Sequence, residues 1–378
     1  MSLSVVVAPN AYKGTITATQ AAGVMSKAIK EEVPNASVVE KPMADGGDGT
    51  SLVLAHVMKG EVRWTHAPDP LGRPTQAYYV KLDRETFAVD VSSASGYARL
   101  SVKERDVMRA TSEGTGVLCS RALDQGAKKI FLGVGGTAFM DGGIGMLQAL
   151  GVVFLDAAGG AIAPGARGLQ NIREIDLSGV SREAKECDWI LALDVKNPLL
   201  GERGAARVYG PQKGADSKQV AQIEAGLSHL AQWVEELSGK NLRDQPGTGA
   251  GGGLPLAVQG LLGARLEPGG ELVAAWIGLH DALKEVDLVV TGEGCLDAQT
   301  LFGKAPAVVA KAAKQRGVPV VAVAGKLGEG VEQVKQVGIV DYTETSRGRG
   351  LPKDGKEACR RLALGTKEVV GRFLGRAF

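Results

Sequence analysis

One local pattern recurs along this 378-residue chain and limits the folds that are open to it. A short apolar run ends in a loop rich in glycine and charged residues, and a helical pattern follows. In residues 287–304 such a run leads into a loop that contains Glu293, Asp297 and Lys304. This order is typical of the ligand-binding edge of an open α/β sheet, although an ordinary turn between a strand and a helix has the same local sequence.

The same pattern occurs at both ends of the chain, and a different pattern lies between. Two apolar runs near the start and three near the end predict five alternating strands, at residues 4–8, 37–41, 288–290, 318–324 and 340–344. Such an alternation predicts a doubly wound parallel α/β sheet. We therefore expect one discontinuous domain formed by residues 1–60 and 285–378.

The middle of the chain, residues 61–284, is expected to form an inserted domain of mixed α/β structure. Short runs with partial alternation predict antiparallel hairpins at residues 64–66, 76–81 and 87–91. Further strands are expected at residues 129–132, 152–155 and 189–193. Apolar residues at three- and four-residue steps predict a long helix over residues 217–237, which packs on a core.

Composition excludes several classes of function. The net charge is only +2 and aromatic residues make up 4% of the chain, which argues against a nucleic-acid partner. No run approaches the roughly 20 apolar residues of a membrane helix, so no membrane partner is expected. The opening residues 1–10 are predicted to form a first strand and not a signal peptide. Four dispersed cysteines without a CxxC pair argue against structural zinc and disulfides, and predict a cytoplasmic protein.

Two stretches of the sequence partly match nucleotide-binding motifs. The Walker A pattern fails, because Gly303-Lys304 is followed by alanine, so a P-loop kinase is excluded. GVGGTA at residues 133–138, with Asp156 after the next predicted strand, has the layout of a dinucleotide-binding fingerprint. The helix between them is interrupted at residues 141–143, which disfavours an NAD-dependent oxidoreductase without removing it as an alternative.

The remaining loops are rich in glycine, aspartate and lysine, and none of the four histidines lies in them. Ser-His-Asp and Cys-His catalysis and histidine-rich metal sites therefore lack their components. Carboxylates suit Mg²⁺, which prefers oxygen ligands, and glycine loops beside lysines suit phosphate. Together these groups indicate phosphoryl transfer, in which catalysis is mostly positioning and charge neutralisation.

Seven of these loops, taken in order, resemble those of bacterial glycerate kinases, which make 2-phosphoglycerate from D-glycerate and ATP. They are APNAYKG (8–14), ADGGDGT (44–50), GVGGTAFMDGG (133–143), LDVKNPLLG (193–201), GPQKGA (210–215), GAGGG (249–253) and TGEGCLDAQTLFGK (291–304). The resemblance implies a discontinuous flavodoxin-like domain and an inserted restriction-endonuclease-like domain, with the active site in the cleft between them. It implies D-glycerate and ATP as substrates and Mg²⁺ as cofactor.

The chain departs from the usual family pattern at four positions, Asn10, Met140, Lys196 and Cys295. A non-catalytic homologue that binds a small acid or a nucleotide therefore stays open as an alternative. The residues also leave open whether the 2- or the 3-hydroxyl is phosphorylated, although the resemblance favours the former. The oligomeric state, including a homo-oligomer, is open as well.

Two residues are expected to be catalytic. Asp194, at the end of a predicted strand, is the candidate general base for the glycerate hydroxyl, although a turn before Asn197 would also use an aspartate. Lys13 would neutralise the substrate carboxylate or the transferred phosphate, unless it is a solvated loop lysine. Asp45 and Asp48 would hold Mg²⁺ or cap the following helix.

The remaining candidates are expected to bind substrate or nucleotide. Gly135, Gly136 and Thr137 would contact the ligand through backbone N–H groups. Asp141 belongs to the same loop. The residues expected to complete the site from the flavodoxin-like side are Glu293, Asp297 and Lys304. Arg73 would reach the small acid, or else lie in a surface turn.

Overall fold

The computed structural model describes residues 3–375 of the chain. The extreme ends of the predicted first domain, residues 1–2 and 376–378, lie outside the described residues. The described chain forms two compact units. The first contains the residues up to Asp45, His56–Met58, and the residues from Gly270 onward; the second contains Gly46–Ala55 and Lys59–Gly269.

The described residues form strands β1 (Ser4–Pro9), β2 (Ser37–Glu40), β3 (Glu61–Pro68), β4 (Pro74–Lys81), β5 (Thr86–Asp90), β6 (Lys129–Gly133), β7 (Val153–Leu155), β8 (Glu174–Asp176), β9 (Asp188–Leu193), β10 (Arg265–Pro268), β11 (Leu288–Leu296), β12 (Val320–Leu327) and β13 (Ile339–Glu344). The α-helices are α1 (Ala18–Glu32), α2 (Thr50–Met58), α3 (Val91–Ser95), α4 (Glu113–Asp124), α5 (Ile144–Ala149), α6 (Arg182–Glu186), α7 (Ala205–Tyr209), α8 (Ser217–Ser238), α9 (Leu254–Leu262), α10 (Gly269–Trp276), α11 (Leu279–Ala282), α12 (Ala305–Lys314) and α13 (Gly355–Phe373). No helix in this described part is both long and apolar enough to span a bilayer.

The first unit contains the predicted doubly wound sheet. Its order is β13-β12-β11-β1-β2, and all neighbours are parallel. Counted in chain order within this sheet, the strands run 2-1-3-4-5, which is the flavodoxin-like order. Helices α1 and α13 pack on the sheet through Met25, Ile29 and Val369. The prediction of five alternating parallel strands is therefore confirmed.

Strand β11 is longer than predicted. The sequence indicated a loop after residue 290, but the strand continues to Leu296 and pairs with β12 along this length. Gly292 makes the continuation feasible, because a Cβ there would lie 2.2 Å from the carbonyl oxygen of Val323. Glu293 is consequently held by a rigid strand and not by a loop.

The second unit contains a mixed six-stranded sheet of order β10-β9-β6-β5-β4-β3. The antiparallel hairpins predicted from the alternating runs are confirmed as β3, β4 and β5, and the remaining pairs are parallel. Strands β7 and β8 form a separate antiparallel pair. The short, polar strands β8 and β10 were not predicted.

Helix α8 follows the prediction closely. Asp216 caps it and forms a capping box with Gln219, and Gly239 ends it in the left-handed conformation. Its buried residues Ile223, Leu227 and Leu230 join the core of the second unit.

Residues 46–55 lie with the second unit, and the chain returns to the first unit at Gly270, whereas the predicted domains place these changes at residues 60 and 285. Contacts within the second unit explain why residues 46–55 belong to it. The backbone N–H and hydroxyl of Ser51 donate to the buried carboxylate of Asp90 at 2.9 and 2.7 Å. A Cβ at Gly46 would lie 2.9 Å from the carbonyl oxygen of Ala192.

Candidate functional site

The second unit has a cavity of about 480 Å³ at the carboxyl ends of β6 and β9. Its volume falls in the range of roughly 300–1,000 Å³ that is typical of small-molecule sites. The predicted residues Gly135, Gly136, Thr137 and Asp194 all line it. The structure thus brings together two loops that are distant in the sequence.

The glycine loop after β6 lies against residues 46–48. A Cβ at Gly135 would lie 2.5 Å from the Cα of Gly47, so no larger residue fits without displacing the backbone. Thr137 is buried, and its hydroxyl accepts a hydrogen bond from Lys213. The loop therefore has a fixed shape, and Gly135 and Gly136 line the cavity.

Asp194 directly follows β9 and is exposed in the cavity. The strand before it is buried and paired on both sides, with β6 and with β10, so the position of the carboxylate is well supported. Burial, and secondarily the charge of Asp194, raise the pKa of Tyr209 to about 12. The Tyr209 hydroxyl donates to Asn197 at 2.7 Å.

Lys213 is a cavity residue that the sequence prediction did not single out. Its side chain is buried, and its ammonium group donates to the hydroxyl of Thr137 and to the carbonyl of Phe139, both at 2.8 Å. Burial lowers the pKa of Lys213 to about 7, against an opposing effect of Asp141. A lone lysine in a glycine-rich turn has the sequence of a solvated residue, so no local signal marks its burial.

Arg105 also lines the cavity and was also missed. Its guanidinium lies over the ring of Tyr97, at 5.2 Å from the ring centroid. The residue occurs in the charged stretch KERD, which predicts a solvated surface.

Asp141 is not among the residues that line the cavity. It is fully buried and accepts hydrogen bonds from the backbone N–H and hydroxyl of Ser112 and from the N–H groups of Gly143 and Gly145. Burial raises the pKa of Asp141 despite these donors. Its carboxylate therefore stabilises the loop that it belongs to, and its effect on a ligand is indirect.

Asp48 and Asp90 belong to a second polar network of this unit. Asp48 is exposed and accepts a hydrogen bond from the hydroxyl of Ser92 at 2.7 Å. Asp90 is fully buried, accepts from Ser51 and Tyr78, and has its pKa raised to about 6 by burial. Asp90 is the last residue of β5, and Asp194 is the first residue after β9. The strand-end position that indicated Asp194 could therefore have indicated Asp90 as well.

In the first unit, Glu293, Asp297 and Lys304 form a cluster. The carboxylate of Glu293 is 6% exposed and accepts from the hydroxyl of Thr300 at 2.7 Å. Burial raises the pKa of Glu293 to about 7, although Lys304 and Thr300 lower it. Asp297 caps the 3₁₀ turn Ala298–Phe302 and lies 3.5 Å from the ammonium of Lys304.

The predicted residue Lys13 lies in the loop after β1, and Asp45 lies in the loop after β2. Lys13 is exposed, with its backbone near Gly294. Asp45 accepts a hydrogen bond from the side-chain amide of Asn10 at 3.1 Å. The amide of Asn10 therefore helps to orient the carboxylate of Asp45. An aspartate at position 10 would repel that carboxylate.

Arg73 is not among the cavity residues. Its guanidinium donates to Asp69 and to Glu104, both at 2.6 Å, and ties the β3–β4 turn to the 3₁₀ turn Val102–Glu104. The surface-turn alternative describes this arrangement better than contact with a substrate.

Within residues 3–375, no three His, Cys, Asp or Glu side chains converge as a ready metal site. Mg²⁺ usually takes one or two carboxylates, with water and substrate phosphates as its other ligands. Asp48 is exposed and Asp45 is half-buried, and their carboxylates are of the ligand type that Mg²⁺ prefers. Both therefore remain candidate Mg²⁺ ligands.

The dinucleotide-binding alternative does not fit the topology. After GVGGTA the helix α5 spans only Ile144–Ala149, and β7, which precedes Asp156, pairs with β8 outside the main sheet. A dinucleotide fold needs that strand beside β6. The fingerprint is therefore a coincidence of sequence.

Comparison with known proteins gives a consistent result. A family model described as the glycerate kinase family matches residues 5–372. The chain is 42% identical to a glycerate kinase of Halalkalibacterium halodurans and 38% identical to the glycerate 2-kinase of Escherichia coli K12, with 89% of each chain covered in both cases. A crystal structure described as a glycerate kinase 2 from Salmonella typhimurium LT2 superposes with a TM-score of 0.87, at 33% identity and over 99% of both chains.

Proposed function

Because the chain belongs to the glycerate kinase family, a family of phosphotransferases, we propose that it transfers the γ-phosphoryl group of ATP to the 2-hydroxyl of D-glycerate. The observation that carries the proposal is the match of nearly the whole chain to this family, with an exposed strand-end carboxylate, Asp194, in a cavity of suitable size. The 2-position is supported by the similarity to the glycerate 2-kinase of Escherichia coli.

Asp194 is the proposed general base. It takes the proton of the 2-hydroxyl as that oxygen bonds to the γ-phosphorus, and the bond from phosphorus to the β,γ-bridging oxygen breaks to release ADP. A carboxylate exposed at the end of a rigid strand can meet a hydroxyl without a change in the sheet. Lys213 fixes the shape of the glycine loop, so that its backbone can contact a phosphate or the acid.

Residues of the first unit are proposed to take part as well. Lys13 would neutralise the carboxylate or the transferred phosphate, and Glu293, Asp297 and Lys304 would bind substrate or nucleotide. Asp45 and Asp48 would hold Mg²⁺, which neutralises phosphate charge when bound. The active site is proposed, from the family resemblance, to lie in the cleft between the two domains, and the expected compartment is the cytoplasm.

The reaction is tested directly by incubating the protein with ATP, Mg²⁺ and D-glycerate and identifying the product by phosphorus NMR. We expect 2-phosphoglycerate and ADP. The appearance of 3-phosphoglycerate would correct the position of transfer. Binding of D-glycerate without any product would favour the non-catalytic homologue, for which Asn10, Met140 and Lys196 are the motivation.

The role of Asp194 is tested by Asp194→Asn, which should reduce kcat by a factor on the order of 10² to 10⁴, as for the loss of a general base. The affinity for ATP should change little. Asp124→Asn, at an exposed position at the end of α4, is the matched control. Turnover of Asp194→Asn close to that of the wild type would remove Asp194 from the mechanism.

A further inference from the structure

Arg105 is a cationic side chain that has no anionic partner among the residues that the structure describes. It is half-buried in the lining of the second unit's cavity, and in the described part of the chain its guanidinium makes no ion pair. Its Nε is shielded from solvent and has no hydrogen-bond acceptor. By contrast, Arg73 is paired with two carboxylates.

The ring of Tyr97 holds the guanidinium in place. The central carbon of the guanidinium lies over this ring, at 5.2 Å from the ring centroid, and a cation–π contact of this kind uses none of the N–H donors. The shielded Nε–H group is unfavourable without an acceptor, because it lacks the hydrogen bond that it had in water. The planar fork matches the two oxygens of a carboxylate or a phosphate.

The charge of the lining favours an anionic ligand. Its titratable cations are Arg105 and Lys213, and Asp194 is the carboxylate among the lining residues. In its protonated form, Lys213 donates two of its three N–H groups to Thr137 and Phe139 and keeps one. An oxyanion in the cavity would therefore meet unused donors of Arg105, and of Lys213 when that residue is protonated.

We propose that Arg105 recognises an oxyanion of the ligand in this cavity, a role that rests on the proposed kinase function. Both substrates of the reaction carry such a group: the carboxylate of the hydroxy acid and the phosphates of the nucleotide. Asp194, the proposed base for the acid's hydroxyl, lines the same cavity. This neighbourhood favours the carboxylate, because in a 2-hydroxy acid the hydroxyl and the carboxylate are on adjacent carbons.

The test compares wild type, Arg105→Met, Arg105→Lys and the control Arg84→Met, whose arginine is exposed in the turn between β4 and β5. KM is measured for D-glycerate and for ATP. Inhibition is measured with D-lactate, which has the carboxylate and the 2-hydroxyl, and with glycerol, which has no carboxylate. Arg105→Lys keeps the charge without the fork and provides a second variant if Arg105→Met folds poorly.

We expect Arg105→Met to raise the KM for D-glycerate and the inhibition constant of D-lactate about 10- to 100-fold, as for the loss of charge-assisted hydrogen bonds. The KM for ATP and the weak effect of glycerol should not change, and Arg105→Lys should be intermediate. A rise confined to ATP would assign the oxyanion to the nucleotide phosphates. Unchanged values for both substrates in a folded variant would overturn the proposal.

The failure of this role can be distinguished from the failure of the kinase function. If the wild type gives no phosphorylated product, the binding of D-lactate and of ADP to wild type and Arg105→Met is measured by calorimetry. Loss of either interaction in the variant supports anion recognition by Arg105 even then. Equal binding by both proteins contradicts it.

Discussion

Replacing Lys213 by methionine should change how the stability of the second unit depends on pH. Burial lowers the pKa of Lys213 from 10.5 to about 7 in the folded protein. At about 1.4 kcal/mol per pH unit, this difference corresponds to at most about 5 kcal/mol. The folded state therefore carries a cost that is fully present below pH 7, falls as the pH rises from 7 to 10.5, and is absent above that range.

The sign follows from proton binding. Between pH 7 and 10.5 the unfolded chain holds the proton of Lys213 and the folded chain does not, so the free energy of unfolding rises with pH. From pH 7.5 to 9.0 the wild type should gain about 2 kcal/mol relative to Lys213→Met. The variant also leaves the oxygens of Thr137 and Phe139 without their donor, but that loss does not depend on pH.

The measurement is urea unfolding followed by tryptophan fluorescence at several pH values, since Trp64, Trp189 and Trp233 all lie in the second unit. The exposed Lys240→Met serves as the control and should follow the wild type. A difference between wild type and Lys213→Met that stays constant from pH 7.5 to 9.0 would refute the reasoning.

Two further substitutions test how the glycine loop is held. Asp141→Asn puts an amide opposite the N–H donors of Ser112, Gly143 and Gly145. It should lower the free energy of unfolding, measured by urea titration, by about 2–4 kcal/mol. An unchanged midpoint of unfolding would show that the carboxylate is dispensable. Gly135→Ala should reduce kcat/KM by more than about tenfold, because its Cβ would push the loop away from Gly47. Circular dichroism should show that the variant keeps its fold. Gly23→Ala, in α1 with open space around it, is the matched control, and equal activity of both variants would contradict the close-approach argument.

The elements that the sequence predicted well are those with a strong local pattern. The five parallel strands of the first sheet and helix α8 each combine an apolar run or stripe with turn or cap residues at their ends. The end of β11 was missed, because Gly292 and Gly294 resemble a loop, and only pairing with β12 shows that they continue the strand. Lys213 and Arg105 were missed because their local sequences are those of solvated residues; burial in this case is decided by distant parts of the chain.

Three aspartates of the second unit show what sequence can and cannot say about a site. Asp90 ends β5, Asp194 follows β9, and Asp141 lies in the loop after β6, so each has the signal of a carboxylate near the carboxyl end of a parallel strand. Asp90 and Asp141 are fully buried, and N–H and O–H donors of their own unit satisfy them. A carboxylate held in this way fixes the backbone of the adjoining loops but cannot meet a substrate hydroxyl. Asp194 is exposed in the cavity, so of these three it is the one whose position permits proton abstraction, while the other two keep the loops around it in shape.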